Sequence, residues 1–289
     1  PPADLGPAFR WAVGLNTAYV IVESAAGFIT GSLALLADAA HNLTDVAGLL
    51  IAWGAAALAK RAGTATYSFG YGRATILAAM LNAIAILIGV VVVVWEAAHR
   101  FQTVVEVPGL TILIVALVGI GVNTGSALLF IKSRKGDLNA NGAFLHMAAD
   151  AAVSGAVVLA AAGIMLTGWQ WLDPAVAIAV SMAIAVTAWG LLRDSLRLEL
   201  DGVPEGIDSA AVATFVGRQP GVTGVHDLHI WALSSTRTAL AAHVVWHGSD
   251  PDAFIDHVTD ALEQDFGIGH ATLQVETAPC ERAGACLAA

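Results

Sequence analysis

The sequence predicts an α-helical membrane protein in which six transmembrane helices are followed by a smaller soluble α+β domain. Three observations carry this. First, 57% of the 289 residues are hydrophobic and only 12% are charged, roughly half the charged share of a soluble globule, and the mean hydropathy is +0.73. Second, the charge is uneven: residues 1–200 hold 10 basic and 11 acidic side chains, whereas residues 201–289 hold 3 and 12, with six of the nine histidines. Third, six apolar stretches are long enough to cross about 30 Å of hydrocarbon, which takes roughly 20 residues. The net charge of −10 excludes a basic nucleic-acid binder. Cys280 and Cys286 are too few for a disulfide framework; they read as a reduced terminus or as added soft ligands.

The six segments fall at about 11–29, 33–59, 74–97, 109–131, 143–167 and 172–192. Turn chemistry separates them, as in Thr30-Gly31-Ser32, Val107-Pro108-Gly109 and Thr167-Gly168. The first segment lacks the basic flank and cleavage site of a signal peptide, and a chain opening at Pro1 reads as trimmed. With a cytoplasmic N-terminus, nine basic residues (Arg10, Lys60, Arg61, Arg73, Lys132, Arg134, Lys135, Arg193 and Arg197) lie inside and only Arg100 lies outside. Six crossings return the acidic tail to the cytoplasm, and an inner or plasma membrane is the expected location. Trp169 and Trp171 then fall at the outer boundary, where an aromatic belt is expected.

Ionisable groups in a bilayer core are costly and face the bundle interior or a watery path. Two groups share one spacing: His41 with Asp45 in segment two, and His146 with Asp150 in segment five. The i,i+4 separation puts imidazole and carboxylate on one helix face. Two nitrogens and two oxygens from facing helices suit tetrahedral Zn²⁺; the competing reading of each pair alone is a buried hydrogen bond or a proton relay. For the pairs to meet, segment five must begin nearer Leu138 or the site must lie below the midplane. Asp38 shares the His41 face, as a carboxylate orienting His41 or a charge on the exit path. Glu23 and Glu96 read as snorkelling or hydrogen-bonded. Asn16, Asn82 and Asn123 read as interhelical hydrogen-bond partners, and Asp173, before Pro174, as the N-cap of segment six.

After Asp201-Gly202-Val203-Pro204 the pattern turns soluble, which divides the chain into a 1–202 six-helix membrane domain and a 203–289 soluble domain. A helix is expected at about 207–217, strands at 222–233 and 237–247, a helix at 252–265 and a strand at 270–276. Phe254, Val258 and Leu262 form an i,i+4 stripe. Ala271, Leu273 and Val275 alternate with polar neighbours.

Four motifs together resemble the cation diffusion facilitator family, of the zinc transporter and cobalt–zinc–cadmium resistance type, over residues 9–277. They are Leu35 to Asp45, Tyr67-Ser68-Phe69-Gly70-Tyr71-Gly72-Arg73, His146 to Asp150, and Val225-His226-Asp227-Leu228-His229-Ile230-Trp231. The resemblance implies a homodimeric antiporter exchanging a divalent metal for protons, not an enzyme, with a ferredoxin-like tail. His41, Asp45, His146 and Asp150 match its membrane site, and His at the first position goes with Zn²⁺ over Cd²⁺. It also implies a tail metal site at His226, His243 and Glu276, with His257 bridging to the partner chain and weaker roles for His229, His247 and His270. Some relatives hold a further metal between segments two and three; Thr64, Tyr67 and Tyr71 stand at those positions, so no such site is expected. Thr75 replaces a Glu found in many relatives, and the 133–141 loop lacks histidine. Two other classes compete: an intramembrane metalloenzyme, against which four filled ligand positions and the lack of His-Glu-x-x-His argue, and a membrane-anchored zinc sensor.

Overall fold

The computed structural model describes residues 6–103, 105–131 and 138–278. Among them run six long helices: α1 Gly6–Thr30, α2 Leu33–Ala59, α3 Ala74–Arg100, α4 Gly109–Phe130, α5 Leu138–Thr167 and α6 Leu172–Glu199. Four of these, over Ala74–Arg100, Gly109–Leu129, Met147–Thr167 and Leu172–Glu199, are long and apolar enough to cross a membrane. The other two, α1 and α2, have 25 and 27 residues, enough length at about 1.5 Å per residue. The six expected segments correspond to these helices one for one. Helix α5 begins at Leu138, the earlier of the two starts considered for segment five, and α6 runs on to Glu199.

The chain divides into two compact units. One comprises the residues up to Leu50 with Asn82–Gly190, the other Ile51–Leu81 with Leu191 onward. In the first unit the N-terminal part of α2 is wedged between two apolar clusters. Ala34 and Leu35 pack with Ile112 and Ala116 of α4 and Val157, Ala161 and Ile164 of α5. Leu33 and Ala37 pack with Ala97 of α3 and Ala177, Val180 and Ile184 of α6. Polarity is inverted relative to a soluble bundle. Large apolar side chains such as Val91, Trp95, Leu166 and Val186 are exposed, whereas Glu23, Asp38, Asn42, Asn123, Asp150 and Ser154 are buried. Small residues permit close crossings: a Cβ on Gly119 of α4 would lie 2.2 Å from the Tyr19 hydroxyl of α1.

The connections follow local chemistry. Gly31 and Gly168 take positive φ at the ends of α1 and α5, which glycine adopts without a steric penalty. Trp169 and Trp171 stack with centroids 5.8 Å apart. One expectation is corrected here. Asp173 does not cap its own helix; its carboxylate accepts from Ser32 Oγ and from the backbone N–H groups of Leu33 at 2.7 Å and Ala34 at 3.2 Å, capping α2 from across the bundle. The α2 start is buried among apolar neighbours, so its orphan N–H groups need a protein partner, and Asp173 supplies one. Glu96 is ion-paired with Arg100, whose guanidinium also donates to the Gly31 carbonyl. Asn16 donates to Ser126 Oγ at 3.2 Å and lies 3.6 Å from Met147 Sδ, joining α1 to α4 and α5. Asn123 is buried without a hydrogen-bond partner, and Asn82 is half-buried.

In the second unit α7 Ser209–Gly217, β1 Val222–Ser234, β2 Arg237–Trp246, α8 Pro251–Phe266 and β3 His270–Glu276 follow in the expected α–β–β–α–β order. Asp208 caps α7 through Ala210 and Ala211, and Asp250 caps α8 with Pro251 at the first turn. The sheet order is β1-β2-β3, β1 antiparallel and β3 parallel to β2. Val212 and Val216 of α7 and Phe254, Val258 and Leu262 of α8 cover one face through Leu240, Ala242, Val244 and Leu273. Alternation along the strands therefore sends His243, Gln274 and Glu276 to the other face.

The Tyr67–Arg73 motif packs within this same unit. A Cβ on Gly72 would lie 2.4 Å from the Leu233 carbonyl oxygen, so only glycine fits there. Arg73 pairs with Asp201. Thr75, where an intramembrane carboxylate was noted as missing, accepts from the Ser235 N–H at 2.9 Å and donates to the Gly72 carbonyl. The Tyr67 and Tyr71 rings stand 5.0 Å apart, and the Tyr67 N–H bonds Thr64 Oγ1.

Candidate metal centres

The first candidate lies between α2 and α5. His41 Nε2 stands 3.3 Å from Asp150 Oδ1, with the His41 side chain 16% and that of Asp150 3% exposed. Four ligands about 2.0–2.1 Å from a Zn²⁺ ion lie about 3.3–3.4 Å from one another in a tetrahedron, so this separation equals a tetrahedral edge. A small cavity of about 30 Å³, lined by Ala40, His41, Thr44, Gly89 and Ser181 among others, adjoins His41. Asp45 lies one turn along α2 and His146 one turn before Asp150 on α5; the side chains of both lie outside the described residues.

Asp38, on the His41 face of α2, is held by neighbours on both helices. It accepts from Ser154 Oγ of α5 at 2.9 Å and faces Asn42 Nδ2 at 3.4 Å. Asn42 Nδ2 also lies 3.3 Å from Glu23 Oε2, and the Tyr19 hydroxyl donates to Glu23 Oε1 at 2.6 Å. Glu23 is thus hydrogen-bonded rather than snorkelling, and both carboxylates are fully buried.

The second candidate is built on the sheet face opposite α7 and α8. His226 and His243 are register partners across β1 and β2, and Glu276 pairs with Val245, two positions beyond His243. His226 Nε2 lies 3.4 Å from Glu276 Oε2, and His243 Nδ1 lies 2.9 Å from Glu276 Oε1. One ligand atom from each residue falls within 4.8 Å of the others. His226 Nε2, His243 Nδ1 and Glu276 Oε2 are also buried, and their mutual approaches are not aligned as hydrogen bonds. Buried polar atoms are seldom left unpaired, and three of them converging fit the lone-pair set a divalent cation takes up.

Sequence reasoning missed the support of this trio. A register irregularity between His226 and His229 puts Asp227 in the left-handed region at φ 53°. Such bulges re-aim side chains beside functional sites. The Asp227 carboxylate lies 3.0 Å from His229 Nε2 and 3.6 Å from His243 Nε2, the nitrogen that does not face Glu276. The signal available in the sequence was an Asp between two histidines in a strand, where Asp is a poor strand former. Among the remaining histidines, His257 is exposed on α8, His247 is exposed beyond β2, and His270 meets the Phe69 ring edge-on at 5.7 Å. Cys280 and Cys286 lie outside the described residues.

Two family models cover the chain: the cation efflux transmembrane domain matches residues 10–198 and the cation efflux protein cytoplasmic domain matches residues 204–278. The chain is 38% identical over 277 residues to the cation efflux system protein CzcD of an Alcaligenes strain, covering 95% of this chain and 87% of that protein. It is 38% identical over 273 residues to the zinc transporter ZitB of Escherichia coli, covering 93% and 87%. A cadmium, cobalt and zinc/H(+)-K(+) antiporter of Bacillus subtilis is 34% identical over 267 residues, covering 90% and 86%. These matches agree with a multi-pass helical bundle carrying buried carboxylates and with a two-layer tail. The chain therefore belongs to the cation diffusion facilitator family, whose members are cation efflux transporters and not enzymes.

Proposed function

We propose that this protein exports divalent metal cations, Zn²⁺ foremost, in exchange for protons, from a site formed by His41, Asp45, His146 and Asp150. The observation that carries the proposal is the His41–Asp150 approach at 3.3 Å between two helices that each bear a His-x-x-x-Asp pair. The zinc transporter and antiporter names of its relatives support the choice of ion and exchange. Histidine binds metal only when neutral, so proton and metal occupancy oppose one another. Zn²⁺ entering from the cytoplasm displaces the imidazole protons. Rocking of the bundle exposes the site outward, where incoming protons compete the metal off.

The tail trio His226, His243 and Glu276 supplies three ligands for a regulatory Zn²⁺ in a domain beginning near residue 203. There the ion would neutralise Glu276 and occupy the lone pairs of both histidines. A homodimer, with His257 at the partner chain, and cytoplasmic termini in an inner or plasma membrane complete the reading. Zinc flux into proteoliposomes under an imposed pH gradient tests it. The expected result is flux in wild type, none in Asp45→Ala or His41→Ala, and none when the gradient is collapsed. Undiminished flux in either variant refutes the site, and flux indifferent to the gradient refutes the exchange.

A further inference from the structure

Among the described residues, Asn123 of α4 is 0% exposed, and neither its Oδ1 nor its Nδ2 has a hydrogen-bond partner. A carboxamide offers two acceptor lone pairs and two N–H donors, and a native fold seldom leaves both ends of one unmet. An asparagine that only joined helices would show the bonds that Asn16 makes, to Ser126 Oγ at 3.2 Å and to Met147 Sδ at 3.6 Å. Asn123 has the burial of such a residue without its bonds.

The antiparallel packing of α4 on α5 shows what it faces. At one end a Cβ on Gly109 would lie 2.8 Å from Met165 Cγ and 3.5 Å from Ile164 Cγ2. At the other, the Asn16 amide bridges Ser126 and Met147. The same number of residues separates Gly109 from Ser126 as Met147 from Ile164, so the helices keep one register between these ends. Asn123 stands three residues before Ser126, and Asp150 three after Met147. The register therefore sets Asn123 opposite Asp150. Asn123 also shares the α4 stripe of Ile112, Ala116 and Ser126, at helical spacings of three, four and seven, and the first two of these pack on α5. Asp150 is 2% exposed, and its Oδ1 stands 3.3 Å from His41 Nε2.

We infer that Asn123 is a further cation-binding residue of the transport site, supplied by a third helix and additional to the two His-x-x-x-Asp pairs. Its Oδ1 takes a place on the divalent cation held by His41 and Asp150, and its Nδ2 donates to the Asp150 carboxylate. A cation beside a carboxylate meets both ends of the amide at once. An amide oxygen is a hard, uncharged donor, and one more donor suits a cation that takes more than four ligands. Zn²⁺ closes its shell with four, whereas Co²⁺ accepts a larger set. Asn123 thus widens the range of cations the site holds. This rests on the four-ligand reading above and names a residue that sets its selectivity.

The test reads the visible ligand-field absorption of Co²⁺, which is intense for a tetrahedral ion and weakens as donors are added. Purified full-length protein, with the tail trio disabled by His243→Ala, is titrated with CoCl₂, and its spectrum is taken against the same protein carrying Asp150→Ala. The expected result is a weak band that becomes intense and tetrahedral in Asn123→Leu. Co²⁺ affinity should fall about 10–100-fold, and Zn²⁺ affinity, measured by competition, should fall less. An identical spectrum and an unchanged Co²⁺-to-Zn²⁺ affinity ratio in Asn123→Leu overturn the inference and leave the four ligands standing. Co²⁺ binding indifferent to Asp150→Ala overturns the four-ligand site, and Asn123 with it. Should Asn123→Leu not fold, Asn123→Ala takes its place with the same two outcomes. An intense tetrahedral band before any change to Asn123 overturns the inference outright.

Discussion

Removing the Asp173 carboxylate should unfasten the start of α2, at a cost set by the bonds it accepts. Asp173 is 2% exposed and takes Leu33 N–H at 2.7 Å, Ala34 N–H at 3.2 Å and the Ser32 hydroxyl. Asp173→Ala leaves two buried N–H groups unpaired, at about 1–3 kcal/mol each. It also deletes an anion at the positive end of a helix, for about 0.3–1 kcal/mol. The expected loss is thus about 2–7 kcal/mol. Asp173→Asn keeps one acceptor oxygen and should cost about 1–3 kcal/mol. Ser32 Oγ also accepts from Leu35 N–H at 3.2 Å, so Ser32→Ala alone should cost about 1 kcal/mol. Because the two groups share a hydrogen bond, the double variant should deviate from additivity by about 0.5–3 kcal/mol. SDS-driven unfolding in mixed micelles, followed by tryptophan fluorescence, measures all four proteins. An Asp173→Ala cost near 1 kcal/mol, the size of an ordinary cap, with strict additivity to Ser32→Ala, would refute the cross-bundle role and restore Asp173 to its own helix.

Two further outcomes follow from the close contacts and the backbone. Gly119→Ala puts a methyl 2.2 Å from the present Tyr19 hydroxyl position; it should displace that ring, cost about 1–3 kcal/mol and weaken the Glu23 hydrogen bond, with thermal unfolding in detergent showing the first effect. Unchanged stability would mean that α1 and α4 separate freely. In the tail, Asp227→Gly relieves a left-handed residue worth about 1 kcal/mol yet removes the carboxylate beside His243, so zinc affinity there should fall about 10–100-fold without loss of thermal stability. Calorimetric titration of the full chain in an Asp150→Ala background reads this directly, and an unchanged affinity would exclude Asp227 from orienting His243.

The placement of spans and the two His-x-x-x-Asp pairs were legible because each rests on short-range periodicity. Apolar runs of fixed length and an i,i+4 repeat need no knowledge of what packs against what. The α–β–β–α–β order of the tail was readable for the same reason, since alternation in β3 and the Phe254, Val258 and Leu262 stripe are local. The charge asymmetry also held: the sparse charges of the first 200 residues include His41 partners, whereas the acidic tail carries the convergent trio.

Three further features depended on contacts between residues far apart in the chain. Asp173 looked like a cap of its own helix because Pro174 follows it, but the N–H groups left unpaired by burial belonged to α2, 139–141 residues earlier. Glu23 and Asp38 gave no shared spacing, because they stand on different helices and meet only through Asn42 and the α1–α2 turn. Asp227 took its role from a bulge in register against β2, a property of strand pairing that no single strand specifies. Local patterns decide which residues face inward, because side-chain direction follows backbone period. Which inward-facing polar groups then satisfy one another is decided by packing, since a buried carboxylate bonds whatever donor the fold brings within 3 Å.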